Sequence, residues 1–255
     1  MGWLRNWRRR RAARHLRISP AAWARAEQAL PGLRRLEGEG RSALAAVAAG
    51  FLSEKRFEGI AGVELDRAAC EAIALQAAVP VRHLGLDWYA PWTTVVVYPA
   101  GFVARHEYED EDGIVHVEEG PLIGEAWEGG PLVLSLEDSL GPEAGTSVVI
   151  HECAHKLDMR QGVVNGLPPL PSEMSGAAWS SALSRAFEQI QAWAEAVEAG
   201  RADAEEAPID LYAAEDPGEF FAVASETYFA EPRRLRAAFP AVFSQFEQFY
   251  GWRLG

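Results

Sequence analysis

The spacing of apolar residues divides the chain into helical segments with a few strand-like runs between them. In most segments apolar residues recur every three or four positions, which is the period of an amphipathic helix. Shorter runs that are rich in β-branched residues and bounded by glycine or proline are typical of strands. Several helices around a small sheet indicate a single, mainly helical α+β domain.

The helical prediction covers seven segments, and two of them have clear starts. Ser19 with Pro20, and Asp216 with Pro217, each combine a favoured capping residue with proline in the first helical turn. The segments are ISPAAWARAEQALPGL, EGEGRSALAAVAAGFLSEKRFEGI, ELDRAACEAIALQAAVPV, SVVIHECAHKLDMR, residues 176–199, DPGEFFAVASETYFAEP and PAVFSQFEQFYGW.

Three segments are predicted as strands, namely TTVVVYPAGF, GIVHVEEG and GPLVLSLEDS. The third ends shortly before the segment SVVIHECAHKLDMR. A strand at the edge of a sheet can pair with an extended peptide. We therefore consider this third strand a candidate for pairing with a peptide, with an ordinary core strand as the alternative.

The composition is that of a globular protein. The chain has 255 residues, of which 49% are hydrophobic and 24% charged, so it can form one substantial core. Its two cysteines, Cys70 and Cys153, lie far apart, which favours a reducing compartment over a disulfide framework. No apolar run reaches the roughly 18 residues that span a bilayer, and the N-terminus lacks the apolar region of a secretory signal.

Charge is distributed unevenly along the chain. Residues 1–20 contain seven arginines and no acidic residue, whereas the whole chain has a net charge of −13. We predict a flexible basic arm over 1–20 and a folded domain over 21–255. The arm can lie against its own acidic domain, or touch an anionic membrane or an acidic partner through Trp3, Leu4 and Trp7. The acidic domain argues against direct binding of nucleic acid.

Two histidines four residues apart, His151 and His155, are the strongest chemical signal in the sequence. On a helix they share one face, so both imidazoles can bind the same metal ion. Glu152 follows the first histidine and is placed to act as a general base in hydrolysis. The apolar residues TSVVI predict a buried helix, in which two histidines and a glutamate without a function are costly. Surface histidines, or histidines that are merely hydrogen-bonded, are the alternative.

A catalytic zinc site has three protein ligands and an open position, and the residues alone leave the third ligand open. A longer motif with glycine at 158 and histidine at 161 is absent, because these positions hold Asp158 and Gln161. Glu219 enters a buried helix, and Glu226 lies seven residues later on roughly the same face. Either can be the third ligand, while the other contacts a ligand histidine without touching the metal ion. The acids of this segment are Asp210, Glu215, Asp216, Glu219 and Glu226.

Asp158 and Tyr212 are two further candidate residues. Asp158 lies one turn after His155 and can orient a ligand imidazole or pair with a neighbouring basic residue. Tyr212 lies seven residues before Glu219. Its phenol can stabilise the negative charge that forms on a peptide carbonyl oxygen, or it can simply pack on the domain.

The motifs HECAHKLD, DLYAAEDPGEFFAVASETYF and FPAVFSQFEQFY together resemble the Mlc titration factor A family of bacterial zinc metallopeptidases. Further motifs agree in order, so the resemblance covers roughly residues 40–250. The catalytic core of that family is similar to that of anthrax lethal factor, in which a tyrosine also precedes the glutamate ligand by seven residues. The resemblance implies one zinc ion per chain, Glu152 and Tyr212 as catalytic residues, and the metal ligands His151, His155 and Glu219.

The resemblance also implies a function for the domain 21–255. It predicts a cytoplasmic, aminopeptidase-like enzyme that hydrolyses peptides with water activated by zinc. It further implies binding of the glucose repressor Mlc and a role in the control of sugar uptake. The alternative is a non-catalytic repressor-binding protein with a structural zinc ion, although such sites need no general base such as Glu152.

Overall fold

A computed structural model describes residues 7–254 except 10, 13–14, 101, 110–114, 123, 127–128 and 142–145. Between residues 102 and 126 it describes the backbone alone. The described chain is mainly helical, with one four-stranded sheet and one two-stranded hairpin. This is the mainly helical, single-domain α+β fold that the sequence predicts.

Seven helices of the described chain follow the predicted segments. From residue 20 onward the α-helices are α1 Pro20–Ala29, α2 Gly38–Glu54, α3 Arg67–Val81, α4 Leu136–Leu140, α5 Val148–Asp158, α6 Gly176–Glu198, α7 Pro217–Ala230, α8 Pro232–Ala238 and α9 Pro240–Tyr250. The short helices α4 and α8 were not predicted. Ser19 caps α1 as expected, since its hydroxyl accepts a hydrogen bond from the amide of Ala22. Among the described helices, none combines the length and hydropathy of a segment that crosses a bilayer.

The four-stranded sheet contains three parallel strands and one antiparallel edge strand. The strands of the described chain are β1 Arg56–Gly59, β2 Thr94–Tyr98, β3 Phe102–Glu109, β4 Val115–Leu122, β5 Gly124–Ala126 and β6 Leu132–Ser135. Their order in the sheet is β1, β2, β6, β5, and β5 is antiparallel to β6. β3 and β4 form the separate antiparallel hairpin.

The candidate peptide-pairing strand, β6, is not at an edge of the sheet. It pairs with β2 on one side and with β5 on the other, and all four of its residues are buried. Its backbone donors and acceptors are already used in the sheet. The expectation that β6 receives an extended peptide is therefore wrong, and β6 is an ordinary core strand.

One hydrophobic core joins the helices to the sheet. Ile150 and Cys153 of α5 are completely buried in it, together with Phe221 of α7 and Phe246 of α9. Burial of a large apolar side chain contributes about 1.5–3 kcal/mol to stability. α5 packs between α3 and α7, so the helix with the two histidines is held on both sides.

The described part of the N-terminal arm contacts the domain. Residues 7–9 and 11–12 are helical. The guanidinium of Arg9 lies 2.6 Å from the Glu54 carboxylate and 3.0 Å from that of Asp87, while Trp7 is exposed. The boundary at residue 20 and the flexibility of the arm stay predictions.

Candidate metal centre

The start of α5 is held by a buried hydrogen-bond network. The Ser147 hydroxyl accepts from the amide of Ile150, which caps the helix, and donates to the Gln76 side chain at 2.8 Å. Every residue from Val148 to Asp158 is buried, which confirms the buried helix predicted from TSVVI. The Gln76 contact has no signal in the local sequence, because it joins residues 71 positions apart.

The two histidines and Glu219 converge on one point, and these three residues are called the ligand group below. The Nε2 atoms of His151 and His155 lie 3.2 Å apart. One carboxylate oxygen of Glu219 lies 3.1 Å from His151 Nε2, and the other lies 3.3 Å from His155 Nε2. One ligand atom from each residue falls within 4.8 Å of the others, so the group could hold a metal ion.

The ligand group is electrostatically coupled. Burial disfavours the charged form of His151, but interaction with the carboxylates of Glu219 and Glu226 raises the pKa of His151 to about 10. Burial likewise opposes ionisation of Glu219, but the rings of His151 and His155 lower the pKa of this carboxyl to about 2. Each of the two groups thus favours the charged form of the other.

The geometry gives the two candidate carboxylates different positions. Glu226 lies 3.6 Å from the other ring nitrogen of His151, Nδ1. Its second oxygen accepts a hydrogen bond from the amide of Ser147 at 2.5 Å. Glu219 thus faces the point shared by the ligand atoms, whereas Glu226 faces the outer side of one imidazole.

Glu152 and Tyr212 lie next to the ligand group. Glu152 is 4% exposed, and its charge acts on both His151 and Tyr212. The ring centroid of Tyr212 is 6.0 Å from that of His151. Burial, together with the charges of Glu219 and Glu152, raises the pKa of Tyr212 to about 12, so its phenol keeps its proton at neutral pH.

Comparison with known proteins gives the family of this chain. The model of the family described as glucose-regulated metallo-peptidase M90 matches residues 4–251. The chain belongs to this family. The match starts at residue 4 and includes most of the basic arm, whereas the resemblance seen in the sequence motifs starts near residue 40.

Relatives of this M90 chain include several proteins named Mlc titration factor A. The protein of Escherichia fergusonii is 40% identical over 228 residues, which are 88% of this chain and 83% of the relative. That of Salmonella arizonae is 39% identical over 226 residues, or 87% of each chain. That of Cronobacter sakazakii is 38% identical over 237 residues, or 92% of this chain and 87% of the relative. The predicted resemblance is confirmed, and the family implies a metal ion and peptide substrates.

In this M90 peptidase, Asp158 links the end of α5 to the loop 162–167. Asp158 is completely buried, and one of its oxygens accepts from the amides of Asn165 at 2.8 Å and Gly166 at 2.6 Å. Its other oxygen and His155 Nδ1 have no hydrogen-bond partner in the described part of the chain. His155 Nδ1 therefore donates no hydrogen bond to Asp158 within the described residues, and the Asp158 carboxylate holds the loop.

The loop 162–167 approaches the start of α7 at Gly166. This residue has a φ of +73°, and a Cβ atom there would lie 2.5 Å from the carbonyl oxygen of Pro217. Its own carbonyl accepts a hydrogen bond from Trp179 Nε1 at 2.9 Å. Only glycine fits both the backbone conformation and the space. Asp158 thus connects α5 with α6 and α7 through one glycine.

Asp158→Ala is expected to lower the free energy of unfolding of the M90 peptidase by about 2–4 kcal/mol, because two backbone amides lose their acceptor. Asp158→Asn keeps one acceptor oxygen and should cost less than half as much. Urea unfolding followed by circular dichroism measures both variants. Equal stability of the alanine variant and the parent protein would show that other contacts hold the loop.

Proposed function

We propose that the protein is a zinc-dependent peptidase whose single zinc ion is held by His151, His155 and Glu219. The convergence of their ligand atoms from two packed helices is the observation that supports this most. Glu219 Oε2 is buried and makes no hydrogen bond within the described residues, although it lies 3.1 Å from His151 Nε2. Two ring nitrogens and a carboxylate arranged in this way suit a shared metal ion. Two imidazoles and one carboxylate are a donor set of catalytic zinc.

The proposed reaction divides the work between the metal and the side chains of this protein. A bound zinc ion supplies a Lewis acid that lowers the pKa of water and polarises a peptide carbonyl. Glu152 accepts the proton of the attacking water and passes it to the departing amine. Tyr212, which keeps its proton, donates a hydrogen bond to the carbonyl oxygen as negative charge forms there. Glu226 orients the His151 ring through Nδ1.

Tyr212→Phe is expected to lower kcat by about 10²–10³-fold with little change in KM, because the phenol acts on charge that forms only during the reaction. The zinc content should stay at one ion per chain. Steady-state kinetics with metal analysis of the same preparation measure both. A raised KM with an unchanged kcat would place Tyr212 in substrate binding instead.

We further propose that the enzyme is aminopeptidase-like and cytoplasmic. An aminopeptidase must recognise the free ammonium group of its substrate, and a net charge of −13 favours the approach of a cation. Only two cysteines occur in the chain, and both are free, which supports a reducing compartment.

A panel of chromogenic peptides with free and with blocked N-termini tests this proposal, together with metal analysis. We expect one zinc ion per chain, and hydrolysis of unblocked peptides that stops on chelation and returns with zinc. Equal hydrolysis of blocked peptides would identify an endopeptidase. Activity that survives complete removal of the metal would overturn the zinc mechanism.

The names of the relatives support a second proposed role. They are called Mlc titration factor A, and we propose that this chain also binds a repressor of the Mlc kind and takes part in control of sugar uptake. The alternative is a repressor-binding protein in which zinc is structural. We prefer the enzyme, because structural zinc sites are closed and need no base, whereas Glu152 and Tyr212 lie beside the ligand group.

A further inference from the structure

An apolar cavity of about 240 Å³ lies between α6, the start of α7 and the loop 162–167. Its walls include the rings of Trp179, Phe187 and Phe220, and none of the ten residues that line it is charged. Sites that take whole small molecules usually measure about 300–1,000 Å³. The smaller volume suits a single side chain.

The cavity shares its walls with the elements that position the ligand group. Pro217 and Phe220, which lie on either side of Glu219 in α7, both line it. Gly166 lines it from the loop, and its amide is held by Asp158 at the end of α5. The first turns of α7 therefore contribute both Glu219 of the ligand group and two walls of the cavity.

Exposed apolar residues lie along the same loop. Val163 and Val164, just before the cavity-lining Asn165, are 59% and 40% exposed. Five large apolar side chains are exposed in the described part of the chain. Val163, Val164 and Tyr212 are three of these five. Val164 packs closely on Gly218, the neighbour of Glu219. A Cβ atom at position 218 would have no room beside the Val164 side chain. Val163 and Val164 thus present two adjacent apolar side chains to solvent beside the cavity.

We propose that this cavity is a subsite for one large, uncharged apolar side chain of the peptide substrate, such as leucine or phenylalanine, with Val163 and Val164 at its rim. The proposal rests on the proposed peptidase function and names its substrate class. The cavity rejects lysine, arginine, aspartate and glutamate, because no lining residue can pair with a buried charge. Alanine is accepted but leaves most of the space unfilled.

The test uses substitutions that fill the cavity from the surface of α6. Ser180 and Ser184 line the cavity and are exposed, so leucine at either position takes up its space without disturbing the core. Ser181 is also exposed on α6 but does not line the cavity. Ser181→Leu is therefore a matched control for Ser180→Leu and Ser184→Leu.

The substrates are alanine-rich peptides with one leucine, phenylalanine or lysine placed at each position in turn. At one position the parent protein should prefer leucine or phenylalanine to alanine by about 10–200-fold in kcat/KM, and lysine should not be accepted. Ser180→Leu and Ser184→Leu should reduce this preference, taken as the ratio of kcat/KM for the leucine peptide to that for the alanine peptide, at least tenfold. Ser181→Leu should keep the preference.

A binding measurement separates the subsite proposal from the peptidase proposal. The same peptides carry a fluorescent label, and fluorescence anisotropy measures their binding to Glu152→Gln and to the double variant Glu152→Gln, Ser184→Leu. Turnover with an unchanged preference in both leucine variants overturns the subsite and leaves the peptidase intact. If no peptide is turned over, but leucine peptides bind preferentially and Ser184→Leu removes this preference, the result supports the subsite and contradicts the peptidase. Absence of both turnover and preferential binding overturns both.

Discussion

Glu152→Gln is expected to keep its zinc ion and to lose about 10²–10⁴-fold of peptide hydrolysis. The amide has nearly the shape of the carboxylate, but it cannot accept the proton of the attacking water. Glu152 is not among the three residues whose ligand atoms converge, so one zinc ion per chain should remain. Metal analysis and kcat determined on one preparation check both expectations.

Glu215→Gln is a suitable control for this experiment. Glu215 is an exposed glutamate in the same segment as Tyr212, and the chemical change is identical. The Glu215→Gln variant should keep the parental kcat. Parental hydrolysis by Glu152→Gln would overturn the mechanism, and loss of zinc from that variant would place Glu152 in metal binding instead.

The same variant separates catalysis from partner binding. If a repressor of the Mlc kind binds Glu152→Gln and the parent protein equally, binding does not depend on turnover. Equal binding, combined with a parent protein that cleaves no peptide in the panel, would favour the non-catalytic alternative with a structural zinc ion.

Glu219→Ala is expected to abolish zinc binding and activity together. Glu219 is the carboxylate, among the described residues, whose two oxygens reach the Nε2 atoms of both histidines. Removal of an outer partner of a metal ligand typically costs about 10–100-fold in affinity, and we expect removal of the ligand itself to cost more. Competition with a chromophoric chelator measures the zinc affinity. The rise in melting temperature on zinc addition should vanish as well, because it depends on binding to the folded state.

Two further variants make the Glu219 result specific. Glu226→Ala should weaken zinc binding by about 10–100-fold, because it removes the carboxylate beside His151 Nδ1. Glu215→Ala removes an exposed carboxylate and should leave the zinc affinity unchanged. If Glu226→Ala lost more affinity than Glu219→Ala, the two carboxylates would have the opposite roles.

Most of the helical structure could be predicted because its signals are local. Ser19, Ser147 and Asp216 each cap a helix with their side chains, as residues of this type do at helix starts. The histidine pair was recognisable for the same reason, since a spacing of four places both rings on one helical face. These contacts join residues within one or two turns of each other.

The contacts between distant residues could not be predicted in this way. Glu219 and Glu226 share one face of α7, two turns apart, so only the packing of α7 against α5 decides which of them meets the Nε2 atoms. The strand β1, RFEG, has no β-branched run and forms through parallel pairing with β2. The central place of β6 likewise depends on β2 and β5. The link from Asp158 to Gly166 arises in a loop with no regular period.

The division of the ligand group between α5 and α7 has a consequence for the protein during its synthesis. Glu219 follows His155 by 64 residues in the sequence. At about 5–20 residues per second, a ribosome adds Glu219 roughly 3–13 s after His155. Throughout that interval the nascent chain offers a metal ion two imidazoles and no third ligand from α7. The complete set of proposed ligands, and with it any capacity to cut a neighbouring chain, arises only after α6 and the start of α7 have been made.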